Sequence, residues 1–204
     1  MLRKTDARNL NKCNMNKKLS VLTLSLSALC AIIVVYSCNK SNAAETGNYP
    51  KALANYDDFK GLVSQVEQYR QQRLVGLNDF LKMQKEPNTI VLDTRSANRY
   101  TARHLKGAIS LPFTDFTQAN LARLIPDVNT RILIYCNNNF MGDQVNFATK
   151  TAAPSAANNH TPLTLALNIP TYINLYGYGY KNIYELDELV NMSDTRVQFE
   201  GSVK

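Results

Sequence analysis

The chain has 204 residues, which is enough for one domain with its own core and a separate N-terminal segment. Hydrophobic residues make up 45% of it, and the formal net charge is +7. Six of the 23 Lys and Arg residues, but one of the 16 acidic residues, fall within residues 1–37, so the remainder carries only +2. We therefore expect no nucleic acid-binding surface on the globular part.

The N-terminal segment has the pattern of a secretory signal. Residues 19–39 contain no charged residue and follow directly on Lys17 and Lys18. Met15 begins a run that resembles a natural start, so residues 1–14 are interpreted as an upstream extension. The pattern predicts an exported protein whose remaining part lies in the periplasm or cell envelope.

The end of this apolar segment leaves three alternatives. Residues 35–38, Val-Tyr-Ser-Cys, resemble a bacterial lipobox with Cys38 as the lipidated residue, although Tyr36 is large for its position. Cleavage after Ala43 would instead release the protein, and an uncleaved segment of about 20 apolar residues would span a bilayer. We favour the lipobox, which predicts a signal at 1–37, a polar tether at 38–55 and a globular domain at 56–198.

The globular part alternates between helical and strand patterns. Asp57 and Asp58 are candidate caps of a helix whose apolar residues recur at helical spacing up to Tyr69. A short strand at 74–75 and a short helix at 77–83 follow, and then come buried strands at 89–92 and 109–111, a helix around 120–124 and a buried strand at 132–135. This order predicts an α/β fold with a parallel sheet.

The last of these strands ends at Cys136, where the chain turns abruptly polar. Ligands and chemistry gather at the carboxyl edge of such sheets, yet most free cysteines are small core residues. Cys13 and Cys30 would leave with the presequence and Cys38 would carry lipid, so Cys136 is left without an internal partner. An unpaired thiol in an exported protein is a candidate reactive group.

Three separated blocks resemble the rhodanese-like domain family. The first is Asp93-Thr94-Arg95, Tyr100 and then residues 104–112, His-Leu-Lys-Gly-Ala-Ile-Ser-Leu-Pro; the second is the strand that ends in Cys136; and the third runs from Leu175 through Gly179-Tyr180 to Leu186. The resemblance covers residues 72–190. It implies a three-layer α/β/α fold around a central, mainly parallel sheet of five strands. It also implies that His104 is a structural histidine.

The resemblance further implies sulfur transfer, with Cys136 as the catalytic residue that carries sulfane sulfur as a persulfide. Backbone amides of the following loop would bind the substrate, and a helix N-terminus would lie beneath the sulfur. The loop residues concerned are Asn137, Asn138, Asn139, Phe140 and Met141. The implied partners are small sulfur compounds or thiol acceptors. Neither a metal nor another cofactor is implied, and the membrane is reached only through the lipid or N-terminal anchor.

This chain departs from the family pattern after Cys136. The helix that follows the family's short active loop is predicted here only near Asn168-Ile169-Pro170, because proline suits a first helical turn. The insertion of some two dozen residues between them has a possible helix at 143–151. The N-terminus of this helix would supply a dipole to the sulfur, or the insertion would close the site.

The lack of basic residues in the loop after Cys136 restricts the reactions that it could catalyse. No Lys or Arg lies between Arg131 and Lys150, which excludes a phosphatase because that reaction needs a loop arginine to bind phosphate. It also disfavours thiosulfate and favours persulfide or polysulfide donors. The alternative to a sulfurtransferase is a catalytically inactive rhodanese-fold binding module. A third reading, a redox sensor, has no resolving cysteine.

Overall fold

The structure is a computed structural model and describes residues 49–203. The predicted signal, the lipobox and Cys38 lie outside the described residues. A compact unit begins at Ala54. Within the described part of the chain, no helix has the length and apolar composition needed to cross a membrane.

Residues 49–203 form five α-helices: α1 (Tyr56–Gln71), α2 (Leu77–Met83), α3 (Ala97–Ala102), α4 (Gln118–Leu124) and α5 (Asn168–Gly177). The strands are β1 (Leu74–Val75), β2 (Thr89–Asp93), β3 (His104–Leu105), β4 (Ile109–Ser110), β5 (Arg131–Tyr135), β6 (Phe140–Met141), β7 (Thr151–Ala152), β8 (Leu163–Thr164), β9 (Ile183–Leu186), β10 (Val190–Asn191) and β11 (Phe199–Glu200). The predicted strand at 74–75 and helix at 77–83 are confirmed.

The central sheet has five strands in the order β1-β9-β5-β2-β4, and every neighbouring pair is parallel. The predicted α/β fold with a five-stranded parallel sheet is therefore confirmed. Strand β5 lies in the middle, with Leu133 opposite Val91 on one side and opposite Tyr184 on the other. A strand so placed is buried on both faces, which explains its unbroken apolar sequence.

Two hydrophobic clusters cover the two faces of the sheet. Ile132 and Ile134 of β5 point into the cluster that packs under α1, α4 and α5. Leu133 and Tyr135 point the opposite way, into the cluster that includes α2 and Phe147. Successive side chains of a strand face opposite sides of a sheet, so this alternation produces the layered architecture.

The N-terminus of α1 differs from the prediction. The cap is Asn55, whose Oδ1 accepts the backbone N–H groups of Asp57 at 3.0 Å and Asp58 at 3.3 Å. Asn55 has extended backbone geometry, as a capping residue requires, whereas both aspartates lie in the first turn. There their carboxylates still face the positive end of the helix dipole.

Candidate functional site

The candidate nucleophile lies at the carboxyl end of the central strand. Cys136 follows β5 directly and is 1% exposed. Both faces of β5 are covered and both of its edges are paired, so the chain is held rigidly up to this residue. The sulfur is thus placed where the resemblance implies, but it is buried.

A backbone amide from the far end of the insertion contacts the sulfur. The N–H of Leu167 donates to Cys136 Sγ across 3.1 Å. Leu167 caps the N-terminus of α5, so the positive end of a ten-residue helix adjoins the sulfur. One of the two alternatives assigned a dipole to a helix within the insertion, but the helix N-terminus at the sulfur belongs to the helix that follows the insertion.

The loop after Cys136 forms a single 3-10 turn over Asn137–Asn139. The N–H of Asn139 donates to Cys136 O at 3.1 Å, and the N–H of Phe140 donates to Asn137 O. Two of the five predicted substrate-binding amides are thereby used within the turn. Asn137 and Asn139 are buried, Asn138 is half-buried, and Met141 is exposed. Binding of a substrate by this loop stays a prediction.

Asn139 joins the loop to its neighbours. Its Oδ1 accepts the N–H of Cys136 at 2.9 Å and the Nδ2 of Asn168 at 2.9 Å. Its Nδ2 donates to Leu186 O at 2.7 Å and to Glu188 O at 3.2 Å. The side chain therefore ties the loop after β5 to the start of α5 and to the end of β9.

The insertion does not contain the predicted helix at 143–151. One helical hydrogen bond forms, from the N–H of Phe147 to Asp143 O at 2.9 Å. The carbonyl oxygens of Val145 and Asn146 bind side chains instead: Val145 O accepts from Arg99, and Asn146 O accepts from Arg95. The segment is a turn, and Phe147 is fully buried beneath it.

The rest of the insertion is pinned to the loop that follows Cys136. Asn138 and Lys150 exchange two hydrogen bonds, from Asn138 Nδ2 to Lys150 O at 3.0 Å and from Lys150 N to Asn138 Oδ1 at 2.7 Å. Strands β7 and β8 then form an antiparallel hairpin that leads to Leu167. The hairpin thus returns the chain to the sulfur.

Asp93 and Arg95 form a buried ion pair beside the sheet edge. Arg95 is 2% exposed and donates Nη2 to Asp93 Oδ2 at 2.7 Å and to Arg103 O at 2.6 Å. Tyr135 also donates its hydroxyl to Asp93 Oδ2. Burial alone would lower the pKa of Arg95, but the hydrogen bonds and charge of Asp93 outweigh it and raise that pKa. These residues connect strand ends.

His104 is held by local structure. Its Nδ1 donates to Tyr100 O at 2.7 Å, and its ring stacks on that of Tyr100 with 3.8 Å between the ring centres. The Tyr100 hydroxyl in turn donates to Ala108 O at 2.7 Å. These contacts fit the structural histidine that the resemblance implies.

A cleft of about 240 Å³ opens next to the loop that follows Cys136. Asn138 and Asn139 form one wall, the start of α5 forms another, and the end of β9 forms the floor. The remaining lining residues come mainly from α1, the segment before α5 and the residues after β9: Arg70, Thr164, Ala166, Ile169, Asp187, Glu188 and Leu189. The sequence did not predict this cleft, because its walls come from four distant segments.

Within the cleft, Arg70 and Glu185 form a bidentate ion pair, with 2.6 Å from Nε to Oε2 and 2.6 Å from Nη2 to Oε1. Burial would lower the pKa of Arg70, but Glu185, helped by Asp187, outweighs it and raises that pKa. Among residues 49–203, no group of three or more His, Cys, Asp or Glu side chains is arranged to hold a metal ion.

Comparison with known proteins gives one family match. The sequence model of the family described as "Rhodanese-like domain" matches residues 77–188. A search of curated proteins found no match.

Solved structures show distant likenesses. A crystal structure of a protein from Bacillus halodurans is 18% identical, with 62% of this chain and 74% of that chain covered and a TM-score of 0.37. A rhodanese with anions from E. coli is 17% identical over 55% of this chain and 98% of its own, with a TM-score of 0.34. The Rhodanese_3-like domain of an Anabaena protein is 17% identical over 55% and 92%, with a TM-score of 0.33.

Proposed function

We propose that this chain, which belongs to the rhodanese-like domain family, acts as a rhodanese-fold binding module whose ligand occupies the cleft beside the buried Cys136. The observation that carries the proposal is the burial of the thiol. Cys136 is 1% exposed, and a nucleophile must meet its substrate. The cleft, by contrast, is open beside the same loop.

The surroundings of the sulfur also support a binding role. In the family pattern, several converging amides stabilise the thiolate. Here the amide of Leu167 donates to Sγ, while Asn139 and Phe140 use their N–H groups for carbonyl oxygens within the turn. The neighbouring cleft has more carboxylates than cations, which disfavours a second negative charge close by.

A sulfurtransferase is the second candidate, and one observation favours it. The N–H of Leu167 and the N-terminus of α5 adjoin Sγ, as an anion-stabilising site requires. In this case the Cys136 thiolate would attack the outer sulfur of a persulfide, R–S–SH. A new S–S bond would form on Cys136, the original S–S bond would break, and R–S⁻ would leave with the electron pair. Movement of the insertion would have to open the site first.

A persulfide assay decides between the two candidates. The protein is incubated with glutathione persulfide or thiosulfate, the mass of the Cys136 peptide is measured, and cyanide is added to release thiocyanate. The binding module predicts no added sulfur in the native protein and addition after unfolding in urea. A gain of one sulfur atom in the native protein, absent in Cys136→Ser, would establish sulfur transfer instead.

Export and lipidation at Cys38 form a separate proposal, which is supported by the charged and apolar pattern of residues 15–38. Labelling of cells with a radioactive fatty acid tests it. Label that disappears in Cys38→Ala supports the lipid anchor. Unlabelled protein whose N-terminus follows Ala43 would support release, and an intact N-terminal segment would support an uncleaved anchor.

A further inference from the structure

Helix α1 has two apolar stripes, and the core uses one of them. Leu62, Val66 and Tyr69 recur at helical spacing and pack on the cluster between α1 and the sheet. Val66 is 1% exposed, and the ring of Tyr69 meets that of Tyr176 on α5 edge to face, with 5.2 Å between the ring centres. A surface helix of a globular domain needs only one such stripe to attach it to the core.

The second stripe of α1 is exposed to solvent. It consists of Tyr56, Phe59 and Val63, which are 79%, 45% and 39% exposed, and we call it the α1 stripe. Spacings of three and four residues place the three side chains in one row along the first two turns. Neither hydrophobic cluster within residues 49–203 includes them. A row of large apolar side chains that the fold leaves uncovered marks a surface for contact with another apolar body.

Charged residues are unevenly placed around the α1 stripe. At about 100° per residue, Asp57 and Asp58 lie about 130° away from the centre of the stripe. Lys60, which is exposed, borders the stripe at its N-terminal end, and Glu67 follows beyond its C-terminal end. A lysine in that place can bury its alkyl stem while its ammonium group reaches lipid phosphates. The start of α1 therefore has the composition of a helix that lies in a membrane interface.

The position of α1 in the chain identifies the apolar body. Residues 38–55 connect the predicted lipidation site, Cys38, to the start of α1, which is the first helix of the compact unit that begins at Ala54. A chain of 18 residues spans at most about 65 Å. In an anchored protein this link keeps the α1 stripe within reach of the bilayer at a high effective concentration, so a weak contact is sufficient.

We propose that the α1 stripe docks on the bilayer to which the N-terminal segment attaches the protein. Tyr56, Phe59 and Val63 enter the boundary between lipid headgroups and acyl chains, a region that suits aromatic side chains. Lys60 reaches the lipid phosphates. Because α1 covers one face of the sheet, docking turns the opposite face, with Phe147, away from the bilayer. This inference rests on the membrane attachment proposed above and adds a fixed orientation of the domain.

The chain contains no tryptophan, so one introduced tryptophan reports its own surroundings. Phe59→Trp places the reporter in the α1 stripe. Val145→Trp is the matched control, since Val145 is 74% exposed and lies near Phe147, on the side of the sheet opposite α1. Each full chain is synthesised in a cell-free system with vesicles of phosphatidylethanolamine and phosphatidylglycerol and is isolated by flotation. Lipids with brominated acyl chains should quench the Phe59→Trp reporter at least about fivefold more strongly than the control, and acrylamide should show the reverse order.

A second pair of variants locates the contact. In the Phe59→Trp background, Val63→Asp removes an apolar side chain and adds a charge that anionic lipid repels, so the ratio of docked to undocked protein should fall about tenfold. Val145→Asp in the same background should leave the quenching by brominated lipid unchanged. Both positions are exposed, and circular dichroism checks that both variants fold. Unchanged quenching in folded Val63→Asp would overturn docking through the stripe.

The remaining outcomes separate docking from the attachment on which it rests. Equal quenching of the two reporters in floated protein would overturn docking and leave the anchor standing. A Phe59→Trp reporter that is shielded from acrylamide but not quenched by brominated lipid would show that protein covers the stripe, which also overturns docking. Protein that fails to float would overturn both. The absence of a fatty-acid label on Cys38 in cells would leave docking standing, because flotation of the full chain does not require lipidation.

Discussion

The backbone N–H of Leu167 donates to the sulfur of Cys136 across 3.1 Å, although 31 residues separate the two in sequence. The contact holds the far end of the insertion over the end of β5, and closure of the site was one of the two alternatives that the sequence left open. A thiol sealed in this way reacts only when the segment opens.

The first prediction concerns this protection. We expect Cys136 in native protein to react with Ellman's reagent at least about 100-fold more slowly than in urea, which corresponds to roughly 3 kcal/mol of opening free energy. Leu167→Pro removes the donor at a backbone φ of −76° that proline accepts. It should speed labelling about fivefold, because a hydrogen bond contributes roughly 1 kcal/mol.

Leu167→Ala is the control for that experiment. It keeps the amide and truncates only the side chain, so equal acceleration by both variants would assign the effect to packing. Native labelling as fast as labelling in urea would show that the thiol is exposed and would remove the main support for the binding module.

The second prediction concerns the Asp93–Arg95 pair. Arg95→Ala leaves the carboxylate of Asp93 buried without its cation, and we expect the free energy of unfolding to fall by about 3–5 kcal/mol. Urea denaturation followed by circular dichroism measures it. A loss below about 1 kcal/mol would show that Tyr135 and solvent compensate for the guanidinium.

A second Asp–Arg pair in the same chain serves as the control for this prediction. Asp194 and Arg196 have the same spacing and the same contacts, with Nη2 to Oδ2 at 2.6 Å, but they lie on the surface. There Arg196 lowers the pKa of Asp194 to about 2. Arg196→Ala should leave the free energy of unfolding almost unchanged, because water replaces the exposed guanidinium.

The third prediction concerns alkaline pH. Burial raises the pKa of Tyr135, Tyr172 and Tyr180, and the charge of Asp93 adds to the effect on Tyr135. The folded state therefore keeps these protons at a pH where the unfolded chain, with pKa values near 10, has released them. Stability is fully present below about pH 10. Above it, the free energy of unfolding should fall by up to about 1.4 kcal/mol per pH unit for each tyrosine.

Urea denaturation at three pH values between about 9 and 11 measures that slope. Tyr172→Phe should make it shallower, since one of the three buried hydroxyls is removed. Tyr56→Phe is the control, because Tyr56 is 79% exposed. Equal slopes in the wild type and Tyr172→Phe would contradict the assignment to this residue.

The fourth prediction concerns the link between Asn138 and Lys150. Asn138→Ala removes both of their hydrogen bonds, so the insertion should open more often and trypsin should cleave after Lys150 about tenfold faster. Asn158→Ala is the control, as it breaks only bonds inside the insertion, to Ser155 and Ala153. Unchanged cleavage in Asn138→Ala would show that other contacts hold the segment.

The fold could be predicted from the sequence because its main elements rest on local patterns. The apolar run at 132–135 is typical of a strand buried on both faces, and Gly76 marks the boundary between the short elements at 74–75 and 77–83. The cap of α1 was missed by two residues, because Asn and Asp cap helices about equally well and a sequence does not show which one is extended.

The surroundings of Cys136 could not be predicted in this way. Sequence placed the cysteine at the end of the central strand, since a change from apolar to polar residues is visible along the chain. Its burial, the contact with Leu167 and the cleft beside Asn168 depend on residues far apart in sequence. Backbone amides donate hydrogen bonds whatever side chain they carry, so no residue pattern marks which of them will reach a sulfur. The folded conformation of the insertion determines that the amide of Leu167 contacts the sulfur.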